Sequence, residues 1–557
     1  MKRITVALCL AAALVFPGCV KVDESLGSSL IDKSLLFNTY TIEFPLTEIT
    51  MQPAEDLSGY SDSRITIGAI RDEEFGLTTR SAAFPLIPAL DTLDFGKDPQ
   101  ALSFALYFSA DTTSCAQESE LRTMQNIYIT ALTEPLGNDV QNRKTTREIK
   151  HGTQLLTNGL PVYNGDGPLQ FSFTPEYAQQ YIDVIRAMAP DGILVNRSWD
   201  SNTITQRYND YLDALPGIYI ETEVPEGNGG RINMFQLSCL SVENNYYYRN
   251  SNVGLLKVNS EWNGVRKDSL FMFIPGEAEF VQETNYLSNN QKFAQYSFNR
   301  TSHSTAAGAP TNKLLVEGGG GLKPVVSARE LREKTRAQIA QLGKDPNKAI
   351  VVKATIKLPY GMPASYKEMA YFPSILSPTI RTTVTETSTG KEFYNFAGLT
   401  DASVSTENQG TLDRSNMLYC PDITYHMQQL LGRTDLDTTT DADIWFLAIR
   451  TVKTANANGS TYDDEYYQQL LYASYYNSLY GGGYGYGGYG YGGYGYNSYS
   501  NYYNYMMMAQ MMASSSQQTY SYTSELDKDS YYKAVLYGPT SPEAQPSFCV
   551  TFAVSQE

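Results

Sequence analysis

Residues 126–132 read Asn-Ile-Tyr-Ile-Thr-Ala-Leu, and residues 102–108 upstream read Leu-Ser-Phe-Ala-Leu-Tyr-Phe. Both runs are short, apolar and rich in aromatic or β-branched residues, with Gly, Pro, Asp and Asn punctuating the chain around them. Alternation of apolar and polar residues at every second position is the mark of a strand with one face buried. Runs of this kind recur. Upstream lie Thr39–Phe44 and Arg64–Ile67; downstream lie Ile218–Ile220, just past the turn Pro216-Gly217, and Ile232–Leu240. Then come Leu314–Glu317, Ile350–Leu358, Ile444–Ile449, Ala534–Tyr537 and Phe548–Ala553. Many short strands separated by turn residues predict a mainly β fold of antiparallel β-sandwich-like domains.

A few helices are expected to dock on these sheets. Thr174 is suited to an N-cap, Pro175 to the first helical position, and Pro190 to a stop. Between them Tyr177, Tyr181, Ile185 and Met188 share one face. A second helix opens with Ser327 and Glu330 at capping-box spacing, turns Leu331, Ile339 and Leu342 one way, and closes at Gly343.

A chain of 557 residues is long enough for two to four cores. The expected division is a lipoprotein signal peptide at 1–18, a flexible tether at 19–37, and β-rich domains at 38–313 and 314–557. Within the second lies a Tyr/Gly/Met-rich low-complexity insertion at 466–524. That stretch contains no charged residue, and Tyr480–Tyr496 consists solely of Gly and Tyr. Glycine resists a fixed backbone, so the tract reads either as an adhesive loop of tyrosines or as a tolerated insertion between two strands of one sheet.

The N-terminus carries an address. Lys2 and Arg3 precede Ile4–Phe16, thirteen residues that are apolar except for Thr5, and Pro17-Gly18-Cys19 follows. A membrane-spanning helix needs roughly 20 residues, so a run this short is the h-region of a signal peptide. Gly18-Cys19 resembles a bacterial lipobox, which implies lipidation of Cys19 and cleavage before it. Phe16 departs from the leucine usual there, and the rival Cys9 follows the bulky Leu8. Several acyl chains make a stable anchor, at roughly 0.8 kcal/mol per buried CH₂. Lys21, Asp23 and Glu24 resemble the export signal that carries Bacteroidota lipoproteins to the outer face of the outer membrane. The expected location is therefore the outer membrane, lipid-anchored and facing the exterior.

The formal net charge is −17, or −19 once Lys2 and Arg3 leave with the signal peptide. Such a balance repels phosphate backbones and argues against nucleic acid as a partner. Tyrosine is the compositional anomaly, at 43 copies. After Cys9 and Cys19, four cysteines remain: Cys115, Cys239, Cys420 and Cys549. They allow two disulfides in three pairings, or free buried thiols. No CxxC or HExxH spacing occurs, and His151, His303 and His426 stand far apart. Gly318–Gly321 lacks the following Lys-Ser or Lys-Thr of a phosphate loop and reads as a turn. Asp435, Asp437, Asp441 and Asp443 form an acidic loop without the glycine and glutamate that an EF-hand needs. No catalytic, cofactor-binding or metal-binding residue is nominated.

Several motifs, in order, resemble the DUF4270 family of Bacteroidota lipoproteins. They are Leu26-Gly27 and Leu30-Ile31, then Gly68, Asp72, Phe75-Gly76 and Thr78 in the pattern G-x-x-x-D-x-x-F-G-x-T. Phe95–Pro99, Leu215–Ile220, Leu315–Leu322 and Ala534–Gly538 continue the likeness; the Gly/Tyr tract departs from it. The resemblance implies a non-enzymatic surface lipoprotein, an accessory subunit of an outer-membrane complex for barrel assembly and surface-lipoprotein biogenesis. Its implied partners are the membrane itself and outer-membrane β-barrel proteins, with no cofactor and no specified small-molecule ligand. A glycan- or host-binding surface protein is the alternative, and a hydrolase with acids hidden in the fold is a third.

Overall fold

The computed structural model describes residues 37–555 apart from 62, 138–141, 197, 238–239, 244–245, 250–251, 277–296, 306, 309–311, 387–389, 402–408 and 456–519. The fold is mainly β, with 49 % of residues in strands and 17 % in helices, and the sheets are antiparallel.

The first core lies between two sheets. One runs His151–Leu155, Gln125–Leu132, Ile218–Thr222, Gly76–Phe84, Arg64–Asp72, Gly229–Gln236 and Ala110–Cys115, with Ser297–His303 also on Gly76–Phe84. The other runs Leu169–Ser172, Lys97–Phe108, Gly254–Trp262, Val265–Pro275 and Leu86–Pro88. Ile65, Ile67, Ile127, Ile129 and Ile218 of the first sheet meet Phe104, Leu106, Leu256 and Phe273 of the second. The helix Pro175–Met188 adds Tyr177, Tyr181 and Ile185 to that core. Its N-cap is Thr174, which accepts a hydrogen bond from the Tyr177 N–H at 3.2 Å.

The second core has the same logic. One sheet runs Phe37–Pro45, Ser547–Ser555, Ile350–Pro359, Leu418–Tyr419 and Leu412–Asp413. The facing one runs Ile49–Pro53, Leu322–Val326, Ile444–Ala455, Leu376–Thr385 and Glu392–Gly398, with Tyr520–Leu526 beside Ile444–Ala455. A ribbon of Lys313–Glu317 and Lys533–Tyr537 joins them. Phe44, Leu46, Ile49, Leu314, Ile356, Phe446, Leu536 and Phe548 are buried together.

The expected strands appear, except that the one expected over Ile232–Leu240 ends at Gln236, with Leu240 opening a separate strand, and three further differences stand out. First, the chain does not divide its cores at 38 and 314 alone. Phe37–Pro45 pairs with the last strand, Phe37 opposite Ser555, and Ile49–Pro53 pairs with Leu322–Val326, so residues 37–53 belong to the second core. Pairing partners hundreds of residues apart leave no local trace in a strand's own alternation. Second, two helices escaped the pattern: Ser201–Ala214, capped by Asp200, and Thr424–Gly432. The first is largely polar and buries only Tyr211 and Leu212, so its apolar stripe is narrow. Third, Glu330 does not close a capping box. Ser327 accepts from the Glu330 N–H at 3.3 Å, but the Glu330 carboxylate turns across to the Thr47 and Glu48 N–H groups at 2.7 and 2.9 Å.

Candidate functional site

The two sandwiches meet at the turn Gly318–Gly321, between the strands Lys313–Glu317 and Leu322–Val326. The Gly321 N–H closes it on the Gly318 carbonyl at 3.1 Å. A Cβ on Gly318 would lie 2.3 Å from the Ser530 carbonyl oxygen, and one on Gly320 would lie 2.5 Å from Thr145 Cγ2. Gly319 has φ +54° and passes against the Arg80 guanidinium. Glycine is needed here because the backbone itself is the contact surface.

Around this turn a set of charged groups is buried: Arg80, Glu317, Lys323 and Asp529 are each no more than 2 % exposed. Lys323 Nζ donates to the carbonyls of Glu317, Gly319 and Gly321 at 2.6, 3.0 and 3.0 Å. Arg80 donates to Thr301 Oγ1 at 2.5 Å and to the Lys528 and Ser530 carbonyls at 3.1 and 3.4 Å. Asp529 accepts from Ser61 Oγ at 3.2 Å and Asn299 Nδ2 at 3.3 Å. Glu317 accepts from Thr305 Oγ1 and from the Leu322 N–H, both at 2.7 Å, and faces His303 Nδ1 at 3.5 Å.

Burial sets the electrostatics of the seam. It pushes Lys323 down to about 7, Arg80 down to about 10 and His303 below its ordinary value, and it pushes Asp529 up. Burial also works to raise Glu317, but hydrogen bonds from His303, Thr305 and Leu322 outweigh it and hold the carboxyl low. Two buried nitrogens, His303 Nε2 and Arg80 Nε, have no partner among the described residues. The chemistry of the cluster is mutual neutralisation of charge between two packed cores.

Two motif residues of the N-terminal half, Asp72 and Thr78, reach the same seam, whereas Gly68 packs within the first sheet. Gly68, at φ +141°, lies where a Cβ would sit 2.2 Å from the Arg231 carbonyl oxygen. Asp72 Oδ1 accepts the Glu74 and Phe75 N–H groups and so shapes the hairpin turn before Gly76, while Oδ2 takes Lys533 Nζ at 2.9 Å. Thr78 Oγ1 lies 3.3 Å from His303 Nδ1.

Beside the seam opens a cleft of about 420 Å³. Its walls come from the hairpin turn Asp72–Phe75, the ribbon ends Lys313 and Lys533–Tyr537, the loop at 361–368, and Ser541–Glu543. Lys313 pairs with Glu74 at 2.5 Å and Lys533 with Asp72 at 2.9 Å. Sequence reasoning missed this cleft, because its residues come from four distant segments, and the motifs that carry Asp72, Phe75 and Val535–Tyr537 do not show that those segments meet.

The residues singled out from sequence fall in different places. Cys19, Lys21, Asp23 and Glu24 lie outside the described residues, as does Cys239. Cys115, Cys420 and Cys549 are free thiols. His151 stacks on Tyr219 with ring centroids 4.1 Å apart, and His426 Nε2 lies 3.2 Å from the Ala442 carbonyl. In the acidic loop, Asp435 and Asp441 share Arg433 at 2.7 and 3.0 Å, and Asp443 accepts the Ala328 N–H at 2.8 Å. Asp443 thus anchors the start of a helix. Most of the Gly/Tyr tract lies outside the described residues, but its end does not: Tyr520–Leu526 is a strand, so the expected boundary at 524 falls too late. Ala455 stands opposite Tyr520 and Ile449 opposite Leu526. Residues 456–519 therefore leave and re-enter through neighbouring strands of one sheet.

Comparison with family models, curated proteins and solved structures found no match. No helix among the described residues is long and apolar enough to cross a membrane.

Proposed function

We propose that this chain is a non-enzymatic, surface-exposed outer-membrane lipoprotein that serves as an accessory subunit of an outer-membrane protein complex. The observation that carries the reading is the short apolar run Ile4–Phe16 ending at Gly18-Cys19. It marks an exported chain held to a bilayer through acylated Cys19. The acidic residues just after it, and the motif resemblance to surface lipoproteins, favour the exterior face and a role beside β-barrel proteins. The fold is in keeping with a scaffold: perturbed ionisable groups at the junction face one another and backbone carbonyls, and two paired strands flank the large Tyr-rich insertion.

The test begins at the anchor. Metabolic labelling with a fatty-acid probe should mark the native protein and leave Cys19→Ala unmarked; equal labelling of both would sink the reading. Mild-detergent purification followed by mass spectrometry should then recover an outer-membrane barrel protein. Protease treatment of intact cells should degrade the chain, whereas full protection would place it in the periplasm.

A further inference from the structure

We propose that the cleft beside the seam is a binding site for an organic cation carried on an apolar body, the chemistry of an arginine or lysine side chain next to an apolar group. Its volume, about 420 Å³, lies within the range of ligand sites, and such sites favour the seams between packed units. The floor is apolar: Phe75, Phe372 and Leu536 line it and are 8 % exposed or less. Met362 stands at its mouth, 60 % exposed, as an adaptable apolar contact.

Charge decides what fits over that floor. The lining holds the carboxylates Asp72, Glu74, Glu368 and Glu543 against the cations Lys313 and Lys533, four minus two, which leaves two negative charges. Both lysines are already engaged, with Glu74 and Asp72. The surplus therefore belongs to Glu368 and Glu543. The Glu368 carboxylate has no hydrogen bond or ion pair among the described residues, and Glu543 accepts the hydroxyl of Tyr537. An anionic ligand would meet repulsion there, and a neutral apolar one would gain nothing from either carboxylate. A cation with an apolar stem satisfies floor and rim together. The site stands whether or not Cys19 carries lipid.

Two sources supply that chemistry: a side chain presented by a partner polypeptide, and a free alkylamine or alkylguanidine. The test uses the full chain in mild detergent and follows fluorescence anisotropy of a labelled pentapeptide with one arginine between leucines. We expect saturable binding that weakens with salt. It should fall by about tenfold or more in Glu368→Gln/Glu543→Gln and stay unchanged in Glu226→Gln, an exposed carboxylate outside the cleft. The same peptide with glutamate for arginine should not bind. Displacement by n-butylguanidinium at concentrations similar to the peptide's points to the small cation as the ligand; much weaker displacement points to the polypeptide. The proposal is overturned if the arginine peptide fails to bind, if the double variant binds it as tightly as the native chain, or if the glutamate peptide binds equally well.

Discussion

Lys323 shows what a single buried cation does in this protein. It is fully desolvated and donates to three carbonyls of the turn that it closes. Replacing it with methionine keeps the volume but strips those carbonyls of their donor and leaves Glu317 with less counter-charge. Loss of one partner of a buried charge cluster is expected to destabilise by about 3–5 kcal/mol, read from the denaturant midpoint of Lys323→Met. His303 gives the junction a dependence on pH. Burial holds it below its ordinary value of 6.5, so the unfolded chain takes up a proton at higher pH than the folded one. Its contribution is full above that value and is lost as pH falls through it toward the folded pKa. Melting temperature should therefore decline on acidification below about 6.5, and His303→Gln should flatten that part of the curve. Glu317, held low, adds a separate loss at more acid pH, below 4.5, and this part should shrink in His303→Gln, which removes the strongest of the interactions that hold the carboxyl low. A melting curve of equal slope in both proteins near pH 6 would contradict the assignment. Some of the tyrosines are accounted for at this scale. Tyr211, Tyr219 and Tyr419 are buried, and each donates its hydroxyl: to the Leu86 carbonyl at 2.6 Å, Ser81 Oγ at 2.8 Å and the Pro373 carbonyl at 2.7 Å.

At the scale of elements, caps and turns with a local sequence signal match the structure, except for the capping box at Ser327 and Glu330. Thr174, Pro175 and the apolar face through Tyr177, Tyr181 and Ile185 make the helix Pro175–Met188 as the spacing predicts. Thr174→Ala should destabilise by about 1 kcal/mol in thermal or urea unfolding, with Thr174→Ser close to neutral. The Gly318–Gly321 turn was legible as a turn, but its reason was not: Ser530, Thr145 and Arg80 press on it from outside the segment. The long insertion is an element-scale feature too. Its flanking strands pair from Ile449–Leu526 to Ala455–Tyr520, so replacing residues 457–518 with a short Asn-Gly turn keeps the ladder intact. The shortened protein should melt within a few degrees of the native one. A misfolded product would show that the tract is needed for the core.

The whole molecule is held by two devices that join distant parts of the chain. Residues 37–53 cross into the second core, and the charged seam ties Arg80 and Asn299 of the first to Asp529 and Ser530 of the second. Both sandwiches should therefore unfold in one calorimetric transition. Gly318→Val, which forces a side chain into the Ser530 carbonyl, should weaken the seam and separate that transition into two. Two well-resolved transitions in the native protein would mean that the seam couples the cores only weakly.

The sequence by itself determined the mainly β class, most of the strands and two of the helices, and it carries the lipobox-like signal on which the proposed anchor rests. Each of these rests on periodicity or on a short contiguous signal, and each is written within a few residues. Only the tertiary structure decided that the first strand pairs with the last, that a tetraglycine turn cradles a buried lysine, and that four separate segments enclose a cleft. Such features depend on which surfaces meet across hundreds of residues. A strand's alternation shows that it has a partner and a buried face, but it carries no record of which partner that is.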